Sequence, residues 1–68
     1  MKLRITSTGG VSQEFTTADL SVRLMNAFID DFYDKSHMVG SMKMILADGT
    51  RVVFNRGNIF SMATIKEA

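Results

Sequence analysis

The sequence predicts an α+β domain: one amphipathic helix packed on a small antiparallel sheet of four to five strands, in the order ββαβββ or βαβββ. Three observations predict it. Apolar and polar residues alternate near both ends of the chain, as they do in half-buried strands. Apolar residues recur at helical spacing between Leu20 and Tyr33. The dipeptide Asp48-Gly49, flanked by alternating residues, marks a hairpin.

The first strand is carried by Leu3 and Ile5, which alternate with Lys2, Arg4 and Thr6. Ser7-Thr8-Gly9-Gly10 then reads as a turn, since glycine accepts a positive φ without steric cost. Val11, Gln13 and Phe15 alternate with Ser12, Glu14 and Thr16, giving either a second strand or an extended lead into the helix.

The helix is expected from around Thr17 to Lys35. Thr16 is the candidate N-cap, Asp19 lies at the capping-box spacing, and Phe15 and Leu20 are spaced as a hydrophobic staple. Leu20, Leu24, Phe28 and Phe32 form one stripe, which Val22, Met25, Ile29 and Tyr33 widen. On a helical wheel the apolar arc spans about 220°, whereas about 100° is enough to face one core. The surplus points to a second surface that wants covering.

A connector from Ser36 to Ser41 follows, with Gly40 as its pivot. The hairpin at Asp48-Gly49 has two possible registers. A two-residue turn would place Arg51 on the same face as Met42, Met44 and Leu46. A three-residue loop of Ala47, Asp48 and Gly49 instead groups Met42, Met44, Leu46, Val52 and Phe54, and leaves Lys43, Ile45, Arg51 and Val53 on the other face. The second segregates apolar from charged residues and is the register expected. Asn55-Arg56-Gly57-Asn58 is a further turn, and Ile59 to Ile65 a last strand.

The 68 residues make one domain spanning 1–68. A chain of this size buries only about 60% of the surface it exposes when unfolded, so the core is thin. Cysteine is absent, which removes disulfides and thiolate metal sites together, and there is one histidine. No apolar run is long enough to span a membrane, so a cytoplasmic location without membrane association is the expectation.

No motif specifies a reaction. His37 stands alone in a polar connector, and a catalytic histidine needs partners. Asp30, Asp31 and Asp34 do not share one helical face, so they read as a solvated surface rather than a cation site. Gly9-Gly10 lacks any phosphate-loop pattern and leads into a strand. No catalytic residue, metal or cofactor is expected, and the chain is not expected to be an enzyme.

The charge layout is more informative. Asp19, Asp30, Asp31 and Asp34 make the helix segment acidic on balance, while the rest of the chain is basic. Lys2, Arg4, Lys43 and Arg51 are expected on the sheet face turned away from the helix. That face could track a phosphate backbone, though single-strand binders usually add stacking aromatics there.

The reading that follows is a small non-catalytic interaction protein, self-associating as a dimer through Val22, Met25, Ile29 and Tyr33 and acting on a protein partner, as an accessory or inhibitory factor. The alternatives are a nucleic-acid-binding domain using Lys2, Arg4, Lys43 and Arg51, and a small-ligand binder with its pocket between subunits.

Overall fold

The computed structural model describes residues 1–34 and 40–66. Lys35, the expected end of the helix, residues 36–39 of the connector, with His37 among them, and Glu67 and Ala68 lie outside the described residues. The order is β1 (Lys2–Ser7), β2 (Ser12–Thr16), α1 (Val22–Tyr33), β3 (Ser41–Ile45), β4 (Arg51–Asn55), a 3-10 turn (Arg56–Asn58) and β5 (Ile59–Ile65). The class and the ββαβββ order are as expected, but the strands divide into two antiparallel groups. One is a three-stranded sheet in the order β2-β1-β5, and the other is the hairpin β3-β4.

Both hairpins use the same loop. In the first, Ser7 donates its NH to the Val11 carbonyl (2.8 Å), and Gly10 donates to the Ser7 carbonyl (3.0 Å). In the second, Leu46 donates to Thr50 (2.8 Å) and Gly49 to Leu46 (2.9 Å). Each loop is three residues long and ends on a glycine with positive φ, +87° at Gly10 and +89° at Gly49. This is the three-residue hairpin loop in which the last residue is left-handed. The Asp48 carboxylate also accepts the Thr50 NH at 2.8 Å. Hydrogen bonds from Thr50 hold the Asp48 pKa below its ordinary value.

The second hairpin adopts the segregating register, with Met42 opposite Phe54, Lys43 opposite Val53, Met44 opposite Val52 and Ile45 opposite Arg51. Met42 and Met44 are buried, while Ile45 and Val53 are exposed.

The helix begins later than the capping pattern suggests. Ser21 is the N-cap, its hydroxyl accepting the Leu24 NH at 3.3 Å. Thr16 and Asp19 do make their reciprocal contacts: Thr16 donates its NH to the Asp19 carboxylate (2.9 Å), and Asp19 and Leu20 both donate to the Thr16 carbonyl. Those bonds close an isolated turn at the end of β2 rather than a helix. Leu20 is therefore buried from the turn, and the helical stripe is counted from Ser21.

The rotation corrects two expectations. Met25, expected at an outer interface, is 0% exposed, in the centre of the core. Leu24, expected on the core stripe, is 45% exposed. The buried face of α1 is Met25 and Phe32, flanked by half-buried Phe28 and Ile29.

The inner face of the three-stranded sheet carries Leu3, Ile5, Phe15, Ile59 and Met62, all buried. The helix packs on its β1–β5 side. The second hairpin lies toward β2, where the rings of Phe15 and Phe54 meet edge to face with centroids 6.4 Å apart. A β-bulge falls between Thr6 and Ser7, which pair with Ser61 and Ile59. The residue passed over is Phe60, which is left exposed while Ile59 turns into the core.

Candidate interaction site

The structure separates the four basic residues that the sequence placed on one face. Lys2 and Arg4 lie on β1, whereas Lys43 and Arg51 lie on the other hairpin. Lys2 and Arg4 both turn to Glu14 on the neighbouring strand. Lys2 Nζ donates at 3.1 Å and Arg4 donates twice, at 2.8 and 2.6 Å. The Arg4 guanidinium first, and then the Lys2 ammonium, hold the Glu14 carboxyl below its ordinary value. This pair of cations is already answered from within the fold.

Arg56 is answered too. Its guanidinium donates to the Asp31 carbonyl at 3.0 Å and forms an ion pair with the Asp31 carboxylate. A cation at the C-terminal turn of α1 suits the helix dipole and offsets an acid placed where the dipole disfavours it.

Lys43 and Arg51 differ from these. No ion pair engages either among the described residues. Their register puts them on one face with Ile45 and Val53, which are 63% and 55% exposed. The outer face of the second hairpin thus has Lys43 across from Val53 and Arg51 across from Ile45, cation and aliphatic alternating, with no acid among them.

The strand edges narrow the site further. The Leu46–Thr50 bond makes that pair hydrogen-bonded, so Met44–Val52 and Met42–Phe54 are hydrogen-bonded pairs as well. It follows that the backbone groups of Arg51, Val53 and Asn55 point away from β3, along the free edge of β4. Those of Arg51 and Val53 have no backbone partner among the described residues, while the Asn55 carbonyl caps the 3-10 turn that follows. The same alternation, counted from Ser7–Val11, turns the Met62 carbonyl to the free edge of β5, where the Tyr33 hydroxyl donates to it at 3.3 Å. At the edge of β2 the Thr16 groups are closed by Asp19 and Leu20, and Glu14 adds its charge. The edge of β3 carries Lys43 at its centre. Charge and local closure are ways of discouraging strand addition. The centre of the β4 edge is Val53, which offers neither.

Beside that edge is a cleft of about 260 Å³. Its floor is the inner face of the three-stranded sheet at the end of the first hairpin, with Ile5, Ser7, Val11 and Gln13, and β4 supplies Val53, Phe54 and Asn55. Asn58 and Ile59 close it. No charged residue lines it.

Of the helical residues expected at an interface, Val22 and Tyr33 are exposed, Ile29 is half-buried and Met25 is in the core. Among the described residues no three of His, Cys, Asp and Glu converge as metal ligands, and no helix is long and apolar enough to cross a membrane. The cleft and the β4 edge were not visible in the sequence; the one available signal was the pairing of Val53 and Ile45 with Lys43 and Arg51 in the segregating register. No family model, curated protein or solved structure matches the chain.

Proposed function

We propose that this chain is a non-catalytic interaction protein that binds a protein partner through its second hairpin. The observation that carries the reading is the outer face of β3 and β4, where exposed Ile45 and Val53 alternate with Lys43 and Arg51. Elsewhere Lys2, Arg4 and Arg56 spend their charge on Glu14 and Asp31. Exposed aliphatic side chains interleaved with cations and no acid suit a protein surface that is part apolar and part acidic.

A nucleic-acid reading has less support. The four basic residues do not form one surface, and two of them are neutralised by Glu14. A backbone-tracking groove would want those charges free and aromatic platforms among them.

Affinity capture from a cell lysate tests the proposal when wild type is compared with a Lys43→Glu/Ile45→Glu variant, with and without nuclease. The reading expects a protein held by wild type, lost by the variant and indifferent to nuclease. Capture that depends on nucleic acid, or that the variant retains, contradicts it.

Self-association is the second reading. It is favoured by the exposed helical residues Val22, Leu24 and Tyr33 and by the thin core of so short a chain. Light scattering at micromolar concentration separates the two readings. A dimer lost on Val22→Glu assigns the helix surface to a second copy, and a monomer leaves the hairpin as the working surface.

A further inference from the structure

We infer that the free edge of β4, with the cleft beside it, is a docking site for one extended strand of a partner protein, whose side chains alternate between apolar and polar or acidic. The inference rests on the interaction reading above and names the kind of partner that surface takes.

The backbone chemistry comes first. Arg51 and Val53 present NH and carbonyl groups outward with no backbone partner among the described residues, and Asn55 presents its NH, its carbonyl being the cap of the 3-10 turn. A strand laid antiparallel or parallel to β4 would complete that ladder, which is how strand addition gains affinity from main-chain bonds. The β5 and β2 edges are closed by Tyr33 on Met62 and by the Thr16–Asp19 turn with Glu14, and the β3 edge has Lys43 at its centre, whereas the cation of the β4 edge, Arg51, lies at one end with Val53 at the centre.

Side-chain chemistry then sets the pattern. Successive residues of an added strand point to opposite faces. On the inner side they meet the cleft, whose Ile5, Val11, Phe54 and Ile59 are apolar and whose polar members, Ser7, Gln13, Asn55 and Asn58, are uncharged. At about 260 Å³ the cleft is smaller than the roughly 300–1,000 Å³ of pockets that enclose drug-sized ligands, and it suits single side chains instead. On the outer side the same strand would lie against Val53 and Arg51, with Lys43 beyond. Two cations without acids on this face favour a carboxylate at the outward positions. A second copy offering its own β4 fits less well, because Arg51 would bring a further cation and no acid to the face.

Selection from a displayed library of short random linear peptides, followed by amide hydrogen exchange on the complex, tests the inference. The expected result is enrichment of sequences alternating apolar with polar or acidic residues, and slowed exchange at Arg51, Val53 and Asn55. Val53→Pro removes an NH that points away from β3, a position where an edge strand tolerates proline. It should weaken the selected peptides at least about tenfold with the hairpin ladder intact. If that variant melts without cooperativity, Arg51→Glu serves instead and should turn the selection from acidic to basic residues. No enrichment, enriched sequences without alternation, or peptides indifferent to both variants would overturn the inference. A lysate partner that needs Lys43 and Ile45, found alongside any of those results, leaves the broader interaction reading standing; losing both removes both.

Discussion

The hydroxyl of Tyr33, at the end of α1, donates to the main-chain carbonyl of Met62 at 3.3 Å, on the outward side of β5. One side chain thereby ties the helix to the sheet and occupies an acceptor that an incoming strand would need. Tyr33→Phe keeps the ring, which packs edge to face on Phe32 with centroids 4.9 Å apart, and deletes only the donor. The expected loss is about 0.5–1.5 kcal/mol, the net value of a typical hydrogen bond, read from urea unfolding. A variant as stable as wild type would show that the bond does not hold the helix to β5.

The phase of the helix gives a second prediction. Met25 has no exposed surface and Leu24 is about half exposed. Met25→Ala should cost about 2–5 kcal/mol, the range for deleting a buried aliphatic side chain. Leu24→Ala should cost under about 1 kcal/mol, since only part of the side chain is withdrawn from water. Equal losses at the two positions would mean that the helix is rotated from the orientation described.

Gly49 closes the second hairpin at a φ of +89°. A Cβ there meets no atom within 4 Å, so the obstacle to a side chain is the backbone conformation and not space. Gly49→Ala should cost about 1–2 kcal/mol, and Gly49→Asn less, because asparagine tolerates the left-handed region better. A neutral Gly49→Ala would mean that the loop has changed type.

Acid should weaken the protein partly through Glu14. Its folded pKa lies below the ordinary 4.5 because Arg4 and Lys2 bind the charged form. The stabilisation is therefore complete above the unfolded value and is lost as pH falls through the folded one. Glu14→Gln should be less stable than wild type at neutral pH, and the gap should narrow once pH drops well below 4.5. Asp48, also lowered, has the same sign and leaves some acid sensitivity in the variant. A gap that does not change with pH would contradict the assignment.

Local chemistry made much of this fold legible. Asp48-Gly49 and the segregation of Met42, Met44, Val52 and Phe54 from Lys43 and Arg51 were enough to identify the loop and the register. The helix start was less legible because Thr16 and Asp19 make the same mutual bonds whether they open a helix or close a turn. Once Leu20 was assigned to the helix, the wheel put Leu24 inside and Met25 outside, the reverse of what packing does. The bulge that exposes Phe60 and buries Ile59 has no signature in a simple alternation. The split into two sheets is a tertiary event, and with it came both the separation of Lys2 and Arg4 from Lys43 and Arg51 and the open edge of β4.

The strand-docking inference turns on that edge, and amide hydrogen exchange in the free protein reads it directly. The amides of Val52 and Phe54 point into the β3–β4 ladder, while those of Arg51, Val53 and Asn55 point outward. The account predicts slow exchange at Val52 and Phe54 and near-unprotected exchange at Val53, independent of protein concentration. Strong protection of Val53 in the dilute free protein would contradict it, because the edge would already be closed.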